Sequence, residues 1–224
     1  MADTLPLNFP IPSEGIIASY DYLDIADGIG YVKYFACKDQ AEYFLTRQTI
    51  PSDIIELTGA VDGNETPAKL TLNFDVEMKA PRTLKGRAYA AIPAIAQGGS
   101  TGAGLTHNVY YKVYFKHYDG STETTLGSGT SATKTITGSS GQTLNHDEYL
   151  VVGADCTQTD FAIGDKIRIT LEIYAWQSSA TYGSYYVGID PLGRTTVYTS
   201  LTSGASSANK ITSSYFLVPF KVNP

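Results

Sequence analysis

From Lys166 to Trp176 the chain alternates without a break: Ile167, Ile169, Leu171, Ile173 and Ala175 point one way, and Lys166, Arg168, Thr170, Glu172 and Tyr174 point the other. Successive side chains of a strand face opposite sides of a sheet, so a period of two predicts a strand with one buried face, here opened by a Gly164-Asp165 turn. Leu70–Met78 repeats the pattern, with Leu70, Leu72, Phe74, Val76 and Met78 inward and Thr71, Asn73, Asp75 and Glu77 outward. Further strands are predicted at Gly15–Tyr22, Gly30–Lys38, Ala41–Gln48, Thr83–Ile92, His107–Tyr118, Ser121–Leu126, Ala132–Thr137, Glu148–Val152, Tyr182–Ile189 and Ile211–Val222. Asp119-Gly120 is a hairpin turn signal between two of them. Ala94–Thr106 and Gly127–Thr143 are small and polar and predict exposed loops or a hairpin. No long amphipathic helix is visible, although Asp39–Thr46 admits a short one.

Many strands separated by turns predict an all-β fold, an antiparallel two-sheet sandwich. A jelly roll is the first topology and an immunoglobulin-like Greek key the second. Residues 1–14 carry Pro6, Pro10 and Pro12, which remove amide donors and hold their predecessors extended. This segment reads as an extended N-terminal arm, and residues 15–224 as a single β-sandwich domain. Leu5, Leu7, Phe9 and Ile11 alternate within the arm; it is either a frayed terminus or an arm that docks on a neighbouring subunit.

Composition narrows the function classes. Charged residues are 17% of the chain, against about 25% in an average soluble domain. The formal net charge of -6 argues against a general nucleic-acid binder, which needs a basic surface. Seventeen tyrosines stand against one tryptophan and eight phenylalanines; tyrosine suits half-buried strands, sugar stacking and subunit interfaces alike. Met1-Ala2-Asp3-Thr4-Leu5-Pro6 has neither the basic start nor the apolar core of a signal peptide, and no run reaches the ~20 apolar residues of a membrane span. Cys37 and Cys156 form no metal motif and leave a disulfide open.

Candidate chemistry is sparse. Gly98-Gly99-Ser100-Thr101-Gly102 matches the form of a nucleophile elbow, but a Gly-rich stretch follows where a helix is required. His107, His117 and His146 lack metal-ligand spacing. Asp21, Asp24 and Asp27 form a calcium candidate in a Gly-containing loop, at a spacing that departs from the EF-hand pattern. Asp75 and Glu77 share an exposed strand face, where acidic residues serve solubility. Asp190-Pro191-Leu192-Gly193 is a turn, since Pro191 presets its backbone and Gly193 permits positive φ. The next residue, Arg194, is a candidate interface residue or a partner of Asp190.

FAIGDKIRITLEIYAW (Phe161–Trp176), YYVGIDPLGRT (Tyr185–Thr195) and the closing strand SYFLVPFKVNP together resemble jelly-roll virion structural proteins of tailed phages and related viruses. Tumour-necrosis-factor-like trimers and lectin-like sandwiches present similar strands. The resemblance implies a non-enzymatic capsid decoration, cement or head-fibre subunit of a bacteriophage. It would be commonly homotrimeric, made in the host cytoplasm and placed in the virion against the major capsid protein, with no cofactor, nucleic acid or membrane. The Tyr richness and polar loops support a carbohydrate-binding module or adhesin as the alternative.

Overall fold

The computed structural model describes residues 28–50, 52, 55–57, 63–97, 105–138, 145–177, 184–193 and 212–221. The arm and the strand predicted at Gly15–Tyr22 lie outside the described residues. The described residues form twelve strands and no helix. They are β1 (Ile29–Asp39), β2 (Glu42–Thr46), β3 (Ile55–Leu57), β4 (Leu70–Glu77), β5 (Arg82–Gln97), β6 (Leu105–Tyr118), β7 (Glu123–Thr130), β8 (Lys134–Gly138), β9 (Asn145–Phe161), β10 (Lys166–Gln177), β11 (Ser184–Gly188) and β12 (Tyr215–Lys221).

The hydrogen-bonded order is β3-β11-β5-β12-β1-β2-β4-β10-β6-β7, with β8 also on β6 and β9 on β5. All ladders are antiparallel except β2–β4, where Phe44 pairs with Asp75 in parallel. The β5–β9 part lies back over β6 and β7, so the chain is an all-β sandwich drawn nearly into a closed barrel. β1, the first described strand, pairs along seven residues with β12, the last.

β10 behaves as its pattern predicts. It runs between β4 and β6, and Ile167, Ile169, Leu171, Ile173 and Ala175 are fully buried. They join Phe74, Tyr111, Phe115 and Phe216 in one apolar core. Asp119 shapes the β6–β7 hairpin: its carboxylate accepts the Ser121 and Thr122 amides at 2.9 and 2.7 Å, while Gly120 takes φ 96°. These amides, with the Ser121 hydroxyl, hold the Asp119 carboxyl down at about 2. At the predicted Asp190 turn, Gly193 has φ 65° and donates its amide to the Asp190 carbonyl.

Several boundaries differ from the prediction. The short helix admitted at Asp39–Thr46 does not form; within the strand predicted at Ala41–Gln48, Glu42–Thr46 pairs back on β1 through a tight Gln40-Ala41 turn. The loop predicted from Ala94 is shorter, because β5 continues to Gln97 and meets β11. Gly127–Thr143 is mostly strand at its start: β7 and β8 lie end to end along β6, and Ser131 bridges the break by exchanging bonds with the Tyr111 backbone. β9 is far longer than Glu148–Val152 because it pairs with β5 over almost its whole length. No disulfide forms; Cys37 on β1 and Cys156 on β9 are both free thiols, and burial pushes Cys156 up to about 11.

Where β7 passes β9, two glycines make the approach possible. A Cβ on Gly127 would stand 2.5 Å from the Asp155 carbonyl oxygen, and one on Gly129 would overlap the Gly153 carbonyl. The two strands share no ladder in the described order. The seam therefore depends on the missing side chains.

Candidate functional site

The outward face of β6 and β10 divides into an aromatic half and an ionic half. Antiparallel register sets Tyr110 opposite Tyr174, Lys112 opposite Glu172, and Asn108 opposite Trp176. The Tyr110 and Tyr174 rings stack at 4.8 Å and 2°, and Trp176 meets Tyr110 edge-on at 6.0 Å. Offset and edge contacts of this kind suit ring quadrupoles.

Carboxylates hold the phenols in place. The Tyr174 and Tyr114 hydroxyls donate to Glu172 Oε2 at 2.9 and 3.2 Å. The Tyr110 hydroxyl donates to Glu65 Oε1 at 2.9 Å, reaching the segment that leads into β4. Burial first, and then these carboxylates, push Tyr110 and Tyr174 up to about 12. Both phenols thus remain protonated donors at neutral pH. Lys112 Nζ lies 4.5 Å from the Tyr174 ring centre and 6.0 Å from that of Tyr110. The arrangement can stack a planar or apolar group and offer it hydrogen-bonding edges; it contains no nucleophile.

In the ionic half, Arg168 grips Asp75 through two bonds of 2.7 Å and Glu123 through a third of 2.9 Å, with its guanidinium 4.9 Å from the Tyr118 ring. Lys116 adds a 2.7 Å bond to Glu123. Asp75 is therefore a structural ion-pair partner, which corrects its assignment to solubility. Glu77 is the exposed member, bonded to Lys79. Arg168→Met is expected to cost about 1–3 kcal/mol, because it strips a half-buried carboxylate of two charged donors. Urea unfolding would measure it, and raised salt should weaken the parent more than the variant.

His117 sits at the end of β6, its Nε2 2.7 Å from Asp165 and its ring edge-on to Phe161 at 4.5 Å. The Ala162 amide, and then His117, lower the Asp165 carboxyl. Among the described residues no hydroxyl or thiol joins this pair, so it clamps the β9–β10 turn. His107 is fully buried opposite Gln177, beside Tyr185, and neither ring nitrogen has a hydrogen-bond partner. Burial lowers its pKa. The unfolded chain therefore takes up a proton near 6.5 while the folded chain resists it, so this contribution is full above that pH and lost below it. Between about pH 7 and 5 the melting temperature of the parent should fall more than that of His107→Leu.

The predicted site residues Leu5, Leu7, Phe9, Ile11, Arg194, Asp21, Asp24 and Asp27 all lie outside the described residues, as does the Gly98–Gly102 motif. Among the described residues no group of three or more His, Cys, Asp or Glu could hold a metal ion. The aromatic site was missed because its pairing lies across strands. The available signal was Tyr174 and Trp176 on one outward face, repeated by Tyr110 and Tyr114 on another.

No protein-family model matches the chain, and no match was found among curated proteins. Solved structures do match. A CocE/NonD family hydrolase from Staphylococcus aureus superposes with a TM-score of 0.50 at 10% identity, covering 87% of this chain and 37% of the hydrolase. An α-amino acid ester hydrolase gives 0.49 at 11% identity, covering 84% of this chain and 36% of its own. The chain thus spans little more than a third of the hydrolases it matches. A viral likeness is also present, to the VP2 subviral particle of infectious bursal disease virus: TM-score 0.23, 16% identity, with 83% of this chain and 41% of that one covered. At that score it carries no argument, and it does not reach the tailed-phage type.

These matches correct two expectations. The non-enzymatic virion subunit, with the carbohydrate-binding module as its alternative, gives way to the finding that a CocE/NonD family hydrolase shares the fold. The expectation that the chain is no enzyme is overturned by the same finding. Amphipathic strands and a Gly-Asp turn specify a sandwich, and sandwiches serve many functions. At these identities the likeness shows the fold alone.

Proposed function

We propose that this chain is the β-sandwich domain of a hydrolase and that its β6–β10 aromatic face holds part of the substrate. The observation that carries this reading is the Tyr110–Tyr174–Trp176 cluster, built on a rigid pair of central strands and braced by Glu65 and Glu172. Rings fixed by packing and by hydrogen bonds to neighbouring carboxylates lose little freedom when a ligand stacks on them. The superposition on about a third of a CocE/NonD family hydrolase supports it by supplying a kind of protein in which such a sandwich accompanies a larger body.

Trp176 is the one tryptophan of the chain, so its emission reports on this face directly. Titration with the neutral ester methyl 3-phenylpropionate should change that emission saturably, and Tyr174→Ala should abolish the change while keeping the circular-dichroism spectrum. Emission that stays flat, or a response unaltered in the variant, would overturn the reading.

A further inference from the structure

We propose that the outward face of β1, β12, β5 and β9 docks an acidic protein segment, one of whose carboxylates is received by Lys33. The inference goes beyond the reading of the β6–β10 face and does not depend on it.

Register lays this face out in rows. Lys33, Leu217, Tyr89 and Gly153 stand side by side across the four strands, and Phe35, Tyr215, Ala91 and Val151 form the next row. The intervening residues Tyr34, Phe216, Ala90 and Val152 are buried in the core, so both rows point outward. Tyr31 packs against Tyr89 at 6.1 Å and Tyr149 against Tyr215 at 5.4 Å. Gly153 keeps the face flat: the Arg87 guanidinium lies where a side chain would stand, its Nε 2.7 Å from the position of a Cβ. Flat, aromatic surfaces with a fixed charge near the centre are the usual makeup of protein interfaces.

Lys33 supplies the polar anchor. Its ammonium sits 4.1 Å from the Tyr215 ring centre and 4.7 Å from that of Phe35. Among the described residues no carboxylate pairs with it. Burial lowers its pKa. The ring faces attract the charge, but they leave its three N–H donors without a strong acceptor. A docked carboxylate supplies that acceptor, in a charge-assisted bond that strengthens as the segment excludes water.

The surrounding charge has the same sign. Lys85, Arg87 and Lys221 lie on this side of the four strands, against Asp155, 3.5 Å from Arg87, and Asp160, which accepts the Thr83 hydroxyl. Among the described outward residues four cations thus stand against two carboxylates, in a chain of net charge -6. An acidic segment is drawn to such a face, whereas a second copy of this acidic chain is held off. A lipid surface fits less well, because Val151, 60% exposed, is the one strongly exposed apolar side chain described here, and interfacial binding depends on buried apolar area.

The probe is the peptide acetyl-Glu-Phe-Glu-Leu-Glu-amide, with its glutamine counterpart as the neutral control, titrated calorimetrically into the full chain. The acidic peptide should bind about tenfold tighter, by a margin that shrinks as salt is raised. Lys33→Met keeps the apolar stem on the rings and should erase most of that margin; Lys33→Gln serves if the methionine variant does not fold. Tyr174→Ala should leave the margin unchanged, which separates this face from the β6–β10 site. Binding of neither peptide, equal affinity for both, a margin unmoved by the Lys33 variants, or one lost in Tyr174→Ala would overturn the proposal. So would Lys33-dependent binding to phosphatidylglycerol vesicles in place of the peptide, or self-association that the Lys33 variants abolish, since a lipid surface or a second copy would then be the occupant. None of these outcomes touches the reading of the β6–β10 face, which its own ester titration decides.

Discussion

Gly129→Val should lower stability by about 3 kcal/mol, at the upper end of what an overfilled interior costs. A Cβ at residue 129 would collide with the Gly153 carbonyl and stand 2.8 Å from Val152 Cγ1. Neither neighbour can give way easily. Gly153 and Val152 belong to β9, whose backbone is pinned to β5 through Tyr89 and Ala90. β7 is pinned in turn to β6, where Gly129 pairs with Val113. Relief would require β7 to part from β9 along the whole seam. Ser128 is exposed between the two seam glycines, and Ser128→Val is the control, expected to change stability by less than about 0.5 kcal/mol. Paired urea titrations decide it; equal midpoints for the two variants would show that the seam carries no load.

Tyr111→Ala should cost about 3–5 kcal/mol, in the range of large aromatic truncations. Tyr111 is fully buried in the core. Its hydroxyl donates to the Pro93 carbonyl at 2.9 Å, joining β6 to β5 across the sandwich. Truncation leaves both a cavity and an unsatisfied carbonyl. Tyr111→Phe separates the two effects: it keeps the ring and should lose only about 1–3 kcal/mol for the orphaned acceptor. A melting temperature for Tyr111→Phe as low as that for Tyr111→Ala would show that the hydrogen bond, not the packing, dominates.

The elements legible in the sequence are those whose buried side chains are large. β10 and β4 alternate Ile, Leu, Phe and Val against polar residues, and both were recovered to within a residue at each end. Between Gly153 and Phe161, which closes β9 and is buried, the strand turns inward only Ala154 and the half-buried Cys156, so this stretch carries little hydrophobic signal and is specified by pairing with β5. β7 hides for a related reason: its glycines suit a crowded seam, and seam crowding is invisible from one strand. The site was legible only as a surplus of tyrosine. Which tyrosines meet depends on the β6–β10 register, and the Asp75–Arg168 pair likewise joins residues 93 positions apart. Those distances in sequence are set by the whole fold, beyond the reach of local pattern.

The pairing of β1 with β12 bears on how the protein is made. Residues near the start of the described chain find their ladder partners only at its far end. During synthesis β1 must therefore wait, with one edge unsatisfied, until β12 has left the ribosome. Nonlocal pairing of this sort folds slowly and leaves strand edges open to self-association meanwhile. A nascent chain truncated before Tyr215 would still hold most of the core yet lack the strand between β1 and β5. Such fragments should be captured by chaperones or proteases, whereas chains that include β12 escape both once it slots into place.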